Sequence, residues 1–131
     1  MILYHVTDIE NLESISQTGL IPSIGRLSSK YGETIPQTYF FSDPEDVVTA
    51  LMNWLGVELD EIDEIDGFQH KHVVLECRAN PTDIDPQFFE VTLAYTIPPQ
   101  DIRITTNPDL FVDFDYDETF IAQYPTLCNW D

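Results

Sequence analysis

The chain has 131 residues, of which 43% are hydrophobic and 12% aromatic, enough to form the core of one domain over residues 1–131. Its 24 Asp and Glu residues far outnumber its five Lys and Arg residues, and the formal net charge is −19. Such a surface repels nucleic acid, so we expect no direct nucleic-acid partner. No run approaches the ~20 apolar residues of a membrane span, and the N-terminus lacks the features of a signal peptide. We therefore expect a cytoplasmic protein without a membrane partner.

The first predicted element is a strand with a histidine close to its end. The stretch from Ile2 to Thr7 is rich in β-branched and aromatic residues, as strands are. Thr7 and Glu10 have the spacing of a capping box, and Gly19 is typical of a helix end, so a short helix is predicted between them. His5 would then lie just before a helix N-terminus, which suits an anionic ligand. A lone histidine at a strand end is also often structural or exposed, and both interpretations stay open.

A long loop is predicted next. Residues 21–36 are rich in Ser, Gly and Pro and have no apolar period. Arg26 and Lys30 make this the only segment with two cations close together. Because long ordered loops often carry binding residues, Arg26 is a candidate for ligand binding.

The segment after this loop predicts a short strand and then a helix. Thr38 to Phe41 has the aromatic and β-branched residues of a strand. Asp43 can cap a helix whose first position is Pro44, and the acids that follow complement the helix dipole. An apolar stripe from Val47 to Leu55 should face the core, and Gly56 can end the helix.

The rest of the chain predicts mainly strands. His72 to Ala79, Phe88 to Tyr95 and Ile102 to Thr105 are apolar runs bounded by turn residues. Glu58 to Asp66 is either a short helix or a loop. Its acids are most simply a solvated face, because the ligand spacing of an EF-hand is missing. Residues 107–131 fit an edge strand or a helical turn. Strands outnumber helices, so the predicted fold class is α+β.

Two further expectations concern burial. Cys77 and Cys128 lie far apart and match neither a zinc pattern nor a disulfide framework, so we expect buried free thiols. The apolar positions of the predicted elements should form the core. These positions are Ile2, Ile15, Leu20, Phe40, Val47, Leu51, Val74, Leu75, Val91 and Leu93.

Three stretches follow one another in the order of a known family, the ADP-ribosyltransferases, which the chain resembles over about residues 1–105. The stretches are Leu3 to Leu20, Thr38 to Ser42 and Glu90 to Ile102. The first resembles the family's opening strand, with its histidine, and a helix that ends in Gly-Leu. The second resembles the strand whose aromatic and hydroxyl residues shape the nicotinamide pocket. The third is similar to the strand with the catalytic glutamate, which an Ile-Pro-Pro-x-x-Ile corner follows.

The resemblance implies a fold and a ligand. The fold is a single α+β domain in which two small, mainly antiparallel sheets and short helices form a cleft. The cleft binds NAD, which is a substrate. By the resemblance, His5 holds NAD by a ribose hydroxyl, Tyr39 stacks against nicotinamide, and Glu90 is the catalytic residue at the nicotinamide ribose. A carboxylate there stabilises the positive charge that develops as nicotinamide leaves. No metal ion is implied.

Three more residues complete the predicted NAD site, and three departures from the family pattern bear on the approach of NAD, on the acceptor and on the branch of the family. Thr7 belongs to the His-Thr opening, Arg26 lies in the loop, and Ser42 either braces the pocket or caps the helix. Val6 replaces the glycine of many members, which tightens the approach of NAD. Phe88 stands where arginine-directed members commonly carry a second acid, which disfavours arginine as the acceptor. Five cations are too few for the phosphate site of the RNA 2′-phosphotransferase branch.

The sequence leaves three functions open and predicts no oligomeric state. The first is a NAD-dependent ADP-ribosyltransferase that modifies a macromolecule, a protein rather than nucleic acid. The second is a highly acidic inhibitor, of the kind a phage or mobile element encodes, that blocks a basic nucleic-acid-binding protein without catalysis. The third is a NAD glycohydrolase, with water as the acceptor. The plainer alternatives are solubility for the acidic surface, core packing for Tyr39, and an outward position on an amphipathic strand for Glu90.

Overall fold

The computed structural model describes residues 2–22, 38–52, 71–79, 85–87, 90–93, 95–110 and 118–127, with the backbone alone for residues 85–87 and 90–92. The described strands are β1 (Ile2–Asp8), β2 (Thr38–Phe41), β3 (His72–Arg78), β4 (Asp85–Gln87), β5 (Glu90–Leu93) and β6 (Ile102–Ile104). The described α-helices are α1 (Leu12–Thr18), α2 (Pro44–Met52) and α3 (Glu118–Ala122). Short 3₁₀ turns lie at Ile9–Asn11, Pro99–Asp101, Pro108–Leu110 and Pro125–Leu127. None of these helices has the length and apolar character to cross a bilayer.

The six strands form one antiparallel sheet in the order β4–β5–β2–β1–β3–β6. β1 and β3 are paired over all seven residues of each strand. In contrast, β1 and β2 meet in the single pair Tyr4 and Phe41. The sheet therefore consists of two three-stranded halves, β4–β5–β2 and β1–β3–β6, which are joined at one residue pair.

The predicted α+β class is confirmed, whereas the described strands form one sheet instead of the two small sheets that the resemblance implies. The pair between Tyr4 and Phe41 connects all described strands into one sheet. The physical reason lies in β1, which has backbone donors and acceptors along both of its edges. A strand in the middle of a domain satisfies both edges by pairing, so β1 takes β3 on one side and β2 on the other.

Most of the predicted strands are present. The runs predicted at residues 2–7, 38–41, 72–79 and 102–105 correspond to β1, β2, β3 and β6. The strand predicted from Phe88 to Tyr95 is shorter, because β5 comprises Glu90–Leu93. β4 was not predicted. In the described part of residues 107–131 the chain forms α3 and 3₁₀ turns rather than an edge strand.

Apolar clusters cover both faces of the sheet. The cluster on the α1 face includes Leu3, Phe40, Leu75, Leu93 and Ile104 of the strands with Leu12 and Ile15 of α1. The cluster on the α2 face consists of Phe41, Val74, Val47, Ala50 and Leu110, with Tyr4 and Val6 packed against it. Alternate residues of β1, β2 and β3 thus enter opposite clusters, as the two-residue period of a strand requires.

Seven of the predicted core residues are confirmed as buried. They are Ile15, Leu20, Phe40, Val47, Val74, Leu75 and Leu93. Ile2 and Leu51 are only partly buried and border the core. Leu51 stands in the last turn of α2 beside Met52, whose side chain is 79% exposed, and the end of an element leaves part of a side chain uncovered. The side chain of Val91 lies outside the described set.

The predicted capping box of Thr7 and Glu10 is wrong. β1 continues through Thr7 and Asp8, and a 3₁₀ turn then precedes α1, which begins at Leu12. Hydrogen bonds to β3 satisfy the backbone here and outweigh a local side-chain cap. Asn11 precedes α1 without a side-chain cap, and its amide donates instead to Thr7 Oγ1 at 3.2 Å.

The end of α1 is as predicted. Gly19 has a φ of 80°, and its N–H donates to the Ile15 carbonyl oxygen at 2.8 Å. Leu20 and Ile97 then exchange backbone hydrogen bonds of 2.9 and 3.0 Å. A β-carbon on Gly19 would overlap the carbonyl oxygen of Ile97. The Gly-Leu and Ile-Pro-Pro motifs, which lie far apart in the sequence, therefore meet in the fold.

The predicted start of α2 is also confirmed. Pro44 is its first residue, and the Glu45 N–H donates to Asp43 Oδ1 at 2.8 Å. Cys77 is a buried free thiol, as expected. The predictions for Cys128, Lys30, Gly56 and residues 58–66 lie outside the described residues.

Candidate functional site

The side chain of His5 lies where β1 and β2 part, just beyond the pair of Tyr4 and Phe41. Its Nδ1–H donates to the Tyr39 carbonyl oxygen at 2.7 Å, so a side chain links the two strands where their ladder ends. A carbonyl oxygen only accepts, which assigns the proton of the neutral ring to Nδ1 and leaves Nε2 as an acceptor. The His5 ring also lies against Phe40, with ring centroids 5.5 Å apart.

The environment of His5 keeps the ring neutral. Burial lowers the pKa of His5 to about 4, because desolvation disfavours the charged ring. At pH 7, Nε2 therefore carries a lone pair rather than a proton, and no described residue forms a hydrogen bond with it. A neutral acceptor suits a hydroxyl group and does not attract a phosphate. The geometry therefore favours a hydrogen-bond donor such as a hydroxyl over the anionic ligand that a nearby helix N-terminus suggested.

The register assigns Tyr39 and Glu90 to the opposite face from His5. Glu90 is paired with Phe41, and Tyr39 with Thr92. Paired residues, and residues two apart on a strand, share a face, so positions 39 and 90 belong to the α2 face. They are diagonal neighbours on β2 and β5, a relation that corresponds to roughly 7–8 Å between Cα atoms. The sheet thus brings two of the three principal candidates together, while His5 lies on the α1 face at the junction.

The other predicted binding residues have varied surroundings. Thr7 is 8% exposed, and its hydroxyl accepts the hydrogen bond from Asn11. Ser42 is exposed between β2 and α2, where Asp43 rather than Ser42 provides the cap. Arg26 lies outside the described residues. Thr7 therefore connects β1 to the turn that precedes α1, and no hydrogen bond of the Ser42 side chain is seen among the residues that the structure describes.

Thr38 was missed by the sequence analysis. It is 7% exposed, and its Oγ1 has no hydrogen-bond partner among the described residues. Thr38 lies two residues from Phe40 on β2 and therefore shares the α1 face with His5. A threonine in a strand is ordinary because it is β-branched, so the sequence held no signal that this hydroxyl is buried and unused.

A polar row on the α2 face was also missed. Arg103 of β6 donates through Nε and Nη2 to Glu76 Oε1, at 3.2 and 2.8 Å, and Glu76 is 8% exposed. Tyr4 is the partner of Glu76 in the ladder. Burial raises the pKa of Tyr4, the carboxylates of Glu76 and Asp43 raise it further, and Arg103 lowers it. The phenol is therefore protonated at neutral pH, and the row stabilises the sheet rather than exchanging protons.

Metal binding and known relatives give no further guidance. Within the part of the chain that the structure describes, no group of three or more His, Cys, Asp and Glu residues could hold a metal ion. Comparison of the chain with protein-family models, curated proteins and solved structures found no match. Function is therefore inferred from the residues themselves.

Proposed function

We propose that the protein is a NAD-dependent ADP-ribosyltransferase that modifies a protein target. The observation that carries this proposal is the hydrogen bond of 2.7 Å from His5 Nδ1 to the Tyr39 carbonyl oxygen, made where β1 and β2 part. This bond orients a neutral imidazole whose remaining nitrogen is an acceptor. A ribose hydroxyl is a donor that such a nitrogen binds, and the resemblance implies the same role for His5.

In the proposed reaction one bond to the anomeric carbon of the nicotinamide ribose breaks and another forms. The bond between the anomeric carbon and the nicotinamide nitrogen breaks, and nicotinamide leaves with the electron pair. A nucleophilic atom of the target then bonds to the anomeric carbon, and its proton passes to Glu90 or to solvent. Glu90 stabilises the positive charge that develops on the ribose in the transition state. Tyr39 holds the planar nicotinamide ring by stacking.

One NAD molecule has to reach both faces of the sheet in this proposal. His5 belongs to the α1 face, and Glu90 belongs to the row of Phe41 on the α2 face. A fully paired sheet would separate these positions with a continuous ladder. β1 and β2 are paired at one residue only, so the dinucleotide is proposed to lie along this junction. One ribose then contacts His5, and the nicotinamide ribose lies near Glu90.

The test uses labelled NAD and cell lysate as a source of protein targets, with binding and turnover measured separately. Glu90→Gln should lower turnover by about 10²–10³ while NAD affinity changes little, because the carboxylate acts mainly in the transition state. His5→Ala should instead weaken NAD binding. Glu13→Gln is the matched control, because Glu13 is an exposed glutamate of α1, and it should behave as the wild type.

Two results would overturn the proposal. One is a Glu90→Gln protein that retains wild-type turnover. The other is a wild-type protein that neither binds nor consumes NAD. Release of free ADP-ribose without labelled protein would instead identify water as the acceptor and the protein as a glycohydrolase.

The net charge of −19 favours a second candidate, an acidic inhibitor of a basic nucleic-acid-binding protein. Both described arginines are held by acids, Arg103 by Glu76 and Arg78 by Asp101 at 3.0 Å. A complex formed through such a surface should weaken steeply with salt and should not require NAD. Partner binding that is insensitive to salt, or that is lost in Glu90→Gln, would exclude this candidate.

A further inference from the structure

The hydroxyl of Thr38 is an exception to the usual satisfaction of buried polar groups. The side chain is 7% exposed, and within the described part of the chain Oγ1 has no hydrogen-bond partner. Buried hydroxyls are normally paired because leaving one unpaired costs stability. The other buried threonines differ in this respect: Thr7 Oγ1 accepts from Asn11, and Thr105 Oγ1 accepts from the Asn107 N–H at 3.2 Å. Thr38 is thus a buried threonine whose hydroxyl is left unused.

Thr38 and His5 line the same side of the point where the two halves of the sheet separate. From the pair of Tyr4 and Phe41, β1 runs through His5 and β2 runs back to Thr38. Alternation puts both residues on the α1 face with Phe40 between them, and Phe40 contacts the His5 ring. Two polar groups on one face, His5 Nε2 and Thr38 Oγ1, are therefore without hydrogen-bond partners among the described residues.

The chemistry of the two atoms defines the ligand group that fits both. His5 Nε2 is an acceptor in the tautomer that the Tyr39 carbonyl imposes, whereas a threonine hydroxyl donates and accepts. A ligand hydroxyl can donate to Nε2 and accept from Thr38. A phosphate or carboxylate oxygen has no proton to donate to Nε2. The pair therefore favours a group that both donates and accepts, such as a hydroxyl, over an anionic oxygen.

We propose that Thr38 is a further binding residue that, together with His5, holds a ribose hydroxyl of NAD. This inference rests on the proposed function, because NAD supplies the ribose. In this proposal the unpaired hydroxyl of Thr38 lowers the stability of the free protein and contributes to NAD binding. Removing the hydroxyl should therefore weaken NAD binding without weakening the fold.

The experiment measures NAD affinity by calorimetry and thermal unfolding of the free protein for Thr38→Val, Thr38→Ser and Thr105→Val. Thr38→Val keeps the shape of the side chain, so it should weaken NAD binding by up to about tenfold, the worth of one hydrogen bond. Its melting temperature should equal or exceed that of the wild type. Thr38→Ser keeps the hydroxyl and should restore affinity. Thr105→Val is the matched control, which should lower the melting temperature and leave NAD affinity unchanged.

The outcomes separate this inference from the proposed function. If the wild type binds NAD and Thr38→Val binds it equally well, Thr38 is not a binding residue, although the proposed function stands. A fall in melting temperature for Thr38→Val as large as that for Thr105→Val would show a structural role and overturn the inference. A wild-type protein that binds no NAD would overturn both proposals.

Discussion

Gly19→Ala is expected to destabilise the protein strongly, because two distant motifs meet at this residue. Gly19 has φ of 80° and ψ of −166°, a backbone region that only glycine readily adopts, and an alanine held there carries strain of about 1–3 kcal/mol. The new β-carbon also overlaps the Ile97 carbonyl oxygen. The backbone must then move, which weakens the two hydrogen bonds between Leu20 and Ile97, each worth about 1 kcal/mol.

These contributions together predict a loss of about 3–5 kcal/mol in the free energy of unfolding, a large part of the ~5–15 kcal/mol of an ordinary domain. Urea titration followed by circular dichroism measures this loss as a lower denaturation midpoint. Gln17→Ala is the control, since Gln17 is exposed on α1, and it should change stability by less than about 0.5 kcal/mol. A loss below about 1 kcal/mol for Gly19→Ala would refute both the positive φ and the close approach of Ile97.

The remaining predictions concern acid and the core. The pKa of His5 is lowered from 6.5 to about 4 in the folded state, so its contribution to stability is complete above pH 6.5 and is lost as the pH falls toward 4. At 1.36 kcal/mol per pKa unit the loss is up to about 3 kcal/mol. Urea titrations at pH 7 and pH 4 measure this loss. Between these two pH values, the free energy of unfolding of the wild type should fall by up to about 3 kcal/mol more than that of His5→Gln. If the difference in unfolding free energy between the two proteins were the same at both pH values, the burial of the ring would be contradicted. Leu75→Ala removes a side chain with 0% exposure and should cost about 2–5 kcal/mol. Leu51→Ala should cost less, because Leu51 is only partly buried, and equal losses would show that α2 is packed more deeply than described.

The sequence predicted correctly the helix ends that depend only on neighbouring residues. Asp43 and Pro44 start α2 as their side-chain chemistry dictates, and Gly19 ends α1 through its positive φ. The start of α1 was not predictable in the same way. Thr7 is a good cap by type, but the pairing of β1 with β3 takes that residue into the sheet. A long-range ladder therefore overrode a local preference.

The sequence indicates candidate residues by their type, which is local, but not their placement, which depends on the register of the sheet. The sequence singled out His5 and Tyr39, and the structure joins them through a hydrogen bond. The acceptor is the backbone of Tyr39 rather than its ring, which no pattern of side chains indicates. The burial of Thr38 and the ion pair between Glu76 and Arg103 depend on pairings across the sheet. Such pairings follow from the packing of the whole domain and cannot be predicted from one segment of the sequence.

The pairing of β1 with β3 has a consequence for biosynthesis. The seven residues of β3 that pair with β1 lie at positions 72–78, so the first strand is synthesised several seconds before its longest pairing can form, at ~5–20 residues per second. Long-range pairing also folds slowly, and an uncovered strand is prone to aggregate during the delay. Acids already outnumber cations in the part of the chain before β3, so waiting chains carry a net negative charge and repel one another. We therefore expect the acidic composition to reduce aggregation of the nascent chain until β3 has been made.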